Sequence, residues 1–369
     1  MAKRFAPIIG AFMVATIAAG LSSCSGVRSL ADRLVVPDRP QSQSAKLRDQ
    51  VFEALRVPER EIRFEGGPSQ TYWLLPPLPF AVTSDFTREG NRFTLRFNLH
   101  VDTEHAPAAE PPEEVGSMVL LHGWGGESSM MLPWAASFSA LGYRTPLVDL
   151  RNHGLSGAAP AGYGLREGQD IVHLIRYLRA QGELPRPIYL LGLSYGASAA
   201  IVAAAQLDGE IDGLIALAPF DDPTEAIGGM IESVKSDRSG FARRARAAFV
   251  RQRYTPEQID AAIAEAGERL DLDLRNPGVG DALSRVNACT LLIRGVKDDI
   301  VPVQASRRLA ARNARVELIE LANDDHITLA MRFGWLGEPL VEWTAGGASD
   351  GDCRPPNLPP DPLATAPGD

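Results

Sequence analysis

Between Gly116 and Trp343 short apolar runs alternate with helix-patterned segments, and this alternation admits few folds. Strand candidates are Met118–Leu121, Arg144–Asp149, Ile188–Leu191, Gly213–Leu217, Leu291–Gly295 and Arg315–Leu321. Helix candidates between and after them are Ser129–Leu141, Glu167–Gln181, Tyr195–Leu207, Val303–Arg312 and Ile327–Trp343. Strands joined by helix-length crossovers pair in parallel, with helices on both faces. The spacing therefore predicts an α/β class with a mostly parallel, doubly wound sheet. Sites in such sheets lie at the carboxyl ends of the strands. The alternation breaks over 221–287, which is helical and charged and reads as a lid inserted between two core strands. There, Thr255-Pro256-Glu257-Gln258 has the form of an N-cap, a proline at N1 and a capping-box glutamine.

One crossover carries chemistry. Gly192-Leu193-Ser194-Tyr195-Gly196 joins the apolar run Ile188–Leu191 to the alanine-rich run Ala197–Ala205. A serine on so sharp a strand-to-helix turn is pushed out of the backbone, and glycines two residues away on each side leave it room. The helix N-terminus behind it offers free N–H groups to an oxyanion. Ser194 is thus a candidate nucleophile. A histidine can serve as its base, and the chain has six: His100, His105, His122, His153, His173 and His326. Only His326 follows Ser194 in the chain. His173 sits beside Ile171, Leu174 and Ile175 in an amphipathic run and reads as structural.

Composition narrows the partners. A hydrophobic content of 45% supports a sizeable core, and a net charge of −9 argues against nucleic-acid binding. The three cysteines, Cys24, Cys289 and Cys353, form no C-x-x-C pair, so no zinc cluster is expected. Cys289 opens a core strand and reads as a buried thiol; nothing local argues for its pairing with Cys353. Lys3-Arg4 and the apolar run from Pro7 to Ala19 make a secretory signal. Leu21-Ser22-Ser23-Cys24 then resembles a bacterial lipobox. That resemblance implies cleavage before Cys24, lipidation of its thiol and attachment to a membrane. Ser25 after the cysteine resembles lipoproteins sorted to the outer membrane. The domain reading is a lipoprotein signal over 1–23, a tether and strand-containing segment over 24–115, the core over 116–343 and a disordered Gly/Pro/Asp-rich tail over 344–369. The strand of the second segment is Phe93–Val101, which alternates apolar and polar residues.

Gly116–Trp343 as a whole resembles the α/β-hydrolase family. Besides the serine elbow, four stretches carry the resemblance: His122-Gly123-Trp124-Gly125-Gly126, Asp149-Leu150-Arg151-Asn152-His153-Gly154-Leu155-Ser156, Gly295-Val296-Lys297-Asp298-Asp299-Ile300-Val301-Pro302 and Asn323-Asp324-Asp325-His326. The resemblance implies backbone oxyanion donors at Trp124 and Tyr195, with His122 and Gly123 shaping the turn. It implies supporting roles for Asp149 and His153; Asn152 departs from the glycine usual there. It places the acid on Asp298 rather than adjacent Asp299 and, by the family's chain order of serine, acid, histidine, the base on His326. Some relatives place the acid after the preceding strand, where Asp221 and Asp222 stand. The implied chemistry is Ser194 attack on an acyl carbonyl, with His326 as general base and Asp298 orienting it, and neither metal nor organic cofactor. Serine at the elbow argues against carboxylate-nucleophile chemistry. The expected substrate is a small acyl compound, a carboxylic ester in the leading reading. A prolyl-oligopeptidase-type serine peptidase, an acyltransferase and a non-catalytic envelope lipoprotein remain open at this point.

Overall fold

A computed structural model of the chain describes residues 8–9, 29–38, 43–89, 92–101, 112–236, 241–348 and 353–364. The main sheet has eight strands in the order β11-β10-β9-β8-β6-β7-β3-β2. Its parallel part comprises β6 (Gly116–Leu121), β7 (Tyr143–Val148), β8 (Ile188–Leu193), β9 (Gly213–Leu217), β10 (Cys289–Gly295) and β11 (Val316–Leu321). The predicted strands all appear, shifted by at most two residues at an end. Two antiparallel strands extend the sheet beyond the expected start of the core: β2 (Arg60–Arg63) pairs with β3 (Ser69–Leu75), and β3 pairs with β7. A separate three-stranded sheet holds β4 (Phe80–Glu89), β5 (Arg92–Val101), the predicted alternating strand, and β1 (Ile8–Ile9).

Both faces of the central strands are buried, which is why β6, β8, β9 and β10 read as near-continuous apolar runs, whereas the edge strand β11 carries Glu317 and Glu320 and is only partly buried. Along β8, Ile188 and Leu190 join the core on one face, and Tyr189 and Leu191 the core on the other. Strand β6 divides likewise: Val119 and Leu121 face one way, Met118 and Leu120 the other. Helices α4 (Leu165–Ala180) and α5 (Tyr195–Gln206) cover the first face; α3 (Leu132–Ala140) and α12 (Phe333–Glu342) cover the second. The predicted helix after β10 forms as α10 (Val303–Ala310), and the last predicted helix is two: α11 (His326–Ala330) and α12, divided where the Arg332 guanidinium turns in to Asp324.

Between β9 and β10 lies the helical insertion: α6 (Pro223–Ser236), α7 (Phe241–Arg253), α8 (Pro256–Leu270) and the short α9 (Val279–Leu283). The α8 capping box is formed as read, with Thr255 and Gln258 bonding each other's backbone N–H.

Two expectations at the chain ends are corrected. Residues 29–38, read as part of a tether, dock instead. Ser29 and Asp32 form a capping box for α1 (Leu30–Val35), and Leu30, Leu34 and Val35 are buried. The helix packs on α8, and Asp32 pairs with Arg269 of α8 at 3.0 Å. The signal is present as Ser-x-x-Asp with leucines at α1's buried positions, but the polar residues that flank so short a helix obscure it. Helix α2 (Gln43–Leu55) follows. The tail read as disordered also has described structure. Cys353 is disulfide-bonded to Cys289 of β10, which is therefore not a free thiol. Farther on, Asp361 accepts from Arg332 and Asn323. Local composition is blind to partners 64 and 38 residues away. The remainder of the proposed signal and Cys24 itself lie outside the described residues. Among the described residues no helix is long and apolar enough to cross a membrane.

Candidate active site

Parallel strands deliver the expected residues to one edge. Ser194 follows β8, Asp298 follows β10, His326 follows β11, and the His122–Gly126 turn follows β6. Because β8 lies between β6 and β9, and β10 between β9 and β11, these loops share the carboxyl end of the sheet.

The elbow is sharp. Ser194 has φ 52° and ψ −111°, a left-handed backbone that costs a residue with a Cβ of order 1–3 kcal/mol. It persists because both neighbouring turns are packed against it. A Cβ on Gly192 would meet Gly196 O at 2.3 Å, and one on Gly196 would meet the Leu121 and His122 carbonyls at 2.5 Å. Ser194 N–H donates to Leu217 O of β9 at 2.7 Å, locking the turn to the next strand. The hydroxyl makes no capping bond to the helix it precedes. It is therefore not consumed by structure, unlike a usual N-cap serine. Tyr195 is the first residue of α5, so its N–H has no intrahelical acceptor. The Gly123 turn lies against the elbow: a Cβ there would sit 3.7 Å from Ser194 Cβ.

Asp298 and His326 meet. His326 Nδ1 donates to Asp298 Oδ2 at 2.7 Å, with the carboxylate side chain fully buried and the imidazole 14% exposed. The other Asp298 oxygen accepts from the N–H groups of Ile300 and Val301 at 2.9 and 2.8 Å. Burial would raise the Asp298 pKa, but the adjacent His326 and the two backbone donors outweigh it and hold the carboxyl below its usual range. With Nδ1–H committed to the carboxylate, Nε2 is the ring's acceptor. The other acids are occupied elsewhere. Asp221 forms a two-point ion pair with Arg308, Asp222 caps Thr224, and Asp299 is exposed. Asp325 is the N-cap of α11, accepting from Ile327 and Thr328.

The supporting residues form one buried fastening. His122 Nε2 accepts from Leu150 N–H at 3.1 Å, so its Nδ1 carries the proton and donates to Gly123 O. His153 Nε2 accepts from Gly125 N–H, and its Nδ1 faces Arg151 O. Asp149 accepts from Ser128 and Leu155 N–H. Gly154 is required beside it, since φ is +50° and a Cβ would fall 2.0 Å from the Asp149 carboxylate. Asn152 takes φ 64° where glycine is usual, and its side chain bonds both backbone groups of Ala159. Asparagine tolerates that region better than other side chains. Trp124 stacks on Tyr163 and meets Tyr195 edge-on, with centroids 4.9 Å apart in the latter pair.

One member of this fastening was missed in the sequence. Arg48 of α2 is 2% exposed. It donates to Ser128 and Glu127, approaches Asp149 at 3.9 Å and stacks 4.1 Å over the Trp73 ring. A lone arginine in an amphipathic helix gives no local sign of partners some 80 residues on. Among the described residues no cluster of three or more His, Cys, Asp or Glu side chains is placed to hold a metal.

Burial pushes the His122 pKa down to about 4 from an ordinary 6.5. As pH falls, the unfolded chain takes up this proton first, and the folded chain takes it only near pH 4. Stability is therefore lost between those values, by roughly 3 kcal/mol at the lower end. His122→Gln removes that proton linkage. In urea unfolding from about pH 7 to about pH 4.5 the stability gap between wild type and variant is expected to shrink. A constant gap would contradict a neutral, buried His122.

The sequence profile of the Alpha/beta hydrolase family matches residues 118–334. The chain belongs to the alpha/beta hydrolase family. The AB hydrolase superfamily protein YisY of Bacillus subtilis (strain 168) is 27% identical to this alpha/beta hydrolase over 237 residues, covering 58% of this chain and 87% of that protein. Similar solved structures include the Pyrococcus furiosus esterase Pf2001, with a TM-score of 0.51 and 18% identity over 86% of this chain and 96% of that one. A membrane phospholipase A, described as a bacterial virulence factor, has a TM-score of 0.52 and 15% identity over 83% and 91%. At these identities the structures show the shared fold alone. Arg48 lies outside the matched residues 118–334, whereas its partners Glu127, Ser128 and Asp149 lie within them.

Proposed function

We propose that this alpha/beta hydrolase cleaves carboxylic esters through an acyl-enzyme, with Ser194 as nucleophile, His326 as general base and Asp298 as its orienting acid. The observation that carries the reading is the His326 Nδ1 bond to buried Asp298, which leaves Nε2 to take the serine proton. Ser194 attacks the carbonyl as Nε2 accepts that proton; the protonated imidazole then protonates the leaving alkoxide. Water repeats the sequence and releases the acid. The N–H groups of Trp124 and Tyr195 receive the oxyanion, a contribution on the order of 3 kcal/mol per donor. The insertion over 221–287 acts as the lid. The protein is held to the bacterial envelope by lipidated Cys24. The Cys289–Cys353 disulfide supports residence in an oxidising compartment.

A panel of p-nitrophenyl esters run beside peptide amides tests the substrate class. Ester turnover well above amide turnover is expected, and amide preference would replace the esterase reading with a peptidase. Mass spectrometry of the membrane-derived protein tests the anchor. It should find a lipid-modified Cys24 at the N-terminus; an intact Met1 would refute processing.

A further inference from the structure

The insertion concentrates positive charge on an acidic chain. Seven of 37 basic residues, and one of 46 acidic ones, fall within Lys235–Arg253. Helix α7 itself carries Arg243, Arg244, Arg246, Arg251 and Arg253 and no acidic residue. Among its described side chains, Ala247 and Val250 are buried. Arg244, Arg251 and Arg253 are exposed, and among them Phe249 is 50% exposed. Arg251 donates to the Lys235 carbonyl, and Arg253 lies 5.5 Å over the Tyr254 ring. Neither contact neutralises a charge.

We infer that α7 is a docking surface for an anionic phospholipid bilayer. Arginines attract the headgroup plane, and an exposed aromatic among them inserts at the boundary with the acyl chains. A soluble polyanion would give the exposed Phe249 no apolar partner, whereas a bilayer does. The path of the chain agrees. Helix α1 rests on α8 of the same insertion, and its cap Ser29 stands five residues after Cys24, a span of at most ~18 Å. An anchor at Cys24 and the exposed arginines of α7 would then serve the same bilayer. The inference does not rest on the catalytic reading, and the test removes the anchor.

The full chain carrying Cys24→Ser is sedimented with phosphatidylcholine vesicles and with vesicles that also contain phosphatidylglycerol, at low and high salt. The apolar leader binds both kinds, so the ratio of the two reads the charged surface. Tighter binding to anionic vesicles at low salt, weakened by salt, is expected. Joint Arg244→Gln, Arg251→Gln and Arg253→Gln should lower anionic binding on the order of a hundredfold, at about 1 kcal/mol per basic residue near the surface. Phe249→Ser should weaken binding in high salt as well. Arg275→Gln with Arg285→Gln, exposed in the same insertion but off α7, should leave the ratio unchanged. Equal binding to both vesicle types, or a triple variant that keeps the ratio, overturns the proposal. So does a control pair that loses as much, or binding to polyglutamate without binding to vesicles.

Discussion

Ser194→Ala is expected to lower ester turnover by about a millionfold while leaving the fold intact. The two halves of that result have separate causes. The hydroxyl makes no capping bond to α5, so its loss removes a nucleophile and no structural contact. The left-handed backbone at Ser194 is imposed by Gly192, Gly196 and the bond to Leu217, and alanine inherits it unchanged. Urea or thermal unfolding should therefore shift by no more than about 0.5 kcal/mol, the usual range away from packed or bonded groups. A fluorophosphonate probe should label wild type and not the variant. Equal labelling of both, or undiminished turnover, would move the nucleophile elsewhere. A large loss of stability with the loss of activity would mean that the hydroxyl holds the turn, contrary to its lack of partners.

Elements that announce themselves locally were legible in the sequence. The central parallel strands were readable because burial on both faces makes each a short, mostly apolar run, and the edge strand β11, with Glu317 and Glu320, was readable from its place in the alternation. Ser194 was readable because its turn needs glycines at fixed offsets. His326 was readable because no other histidine follows the elbow. What escaped depends on contacts distant in sequence. Arg48 looks like any helix arginine until α2 lays it against Glu127, Ser128 and Asp149. The tail looked disordered because Gly, Pro and Asp dominate it, yet Cys353 and Asp361 fasten it to β10 and to Arg332. Through Arg332 and Asp324 that tail reaches the loop carrying His326. Both omissions bear on the site. One segment braces the turn after β6 from the N-terminal side, and the other braces the histidine loop from the C-terminal side.

Asp298→Asn is expected to cost about ten-thousandfold in turnover with little change in KM, since an amide cannot hold the base as a carboxylate does. Asparagine at that position can accept the Ile300 and Val301 N–H bonds through its oxygen and then turns its NH2 toward His326. The imidazole must respond by accepting at Nδ1, which puts the proton on Nε2, the atom needed to take one from serine. The same substitution at the alternative acid separates the two candidates. Asp221 is bound to Arg308, whose side chain is 41% exposed. Asp221→Asn therefore weakens an ion pair at the edge of α6 and should change turnover by no more than a few fold. The Asp298 variant should also differ from wild type in acid. A folded-state pKa held below the unfolded value means that Asp298 stabilises the fold above the unfolded pKa and loses this contribution as pH falls through the folded one. Asp298→Asn should flatten that acid limb of the stability curve. Turnover that survives in Asp298→Asn and collapses in Asp221→Asn would transfer the acid to the end of β9, and the 2.7 Å contact at His326 would then be structural.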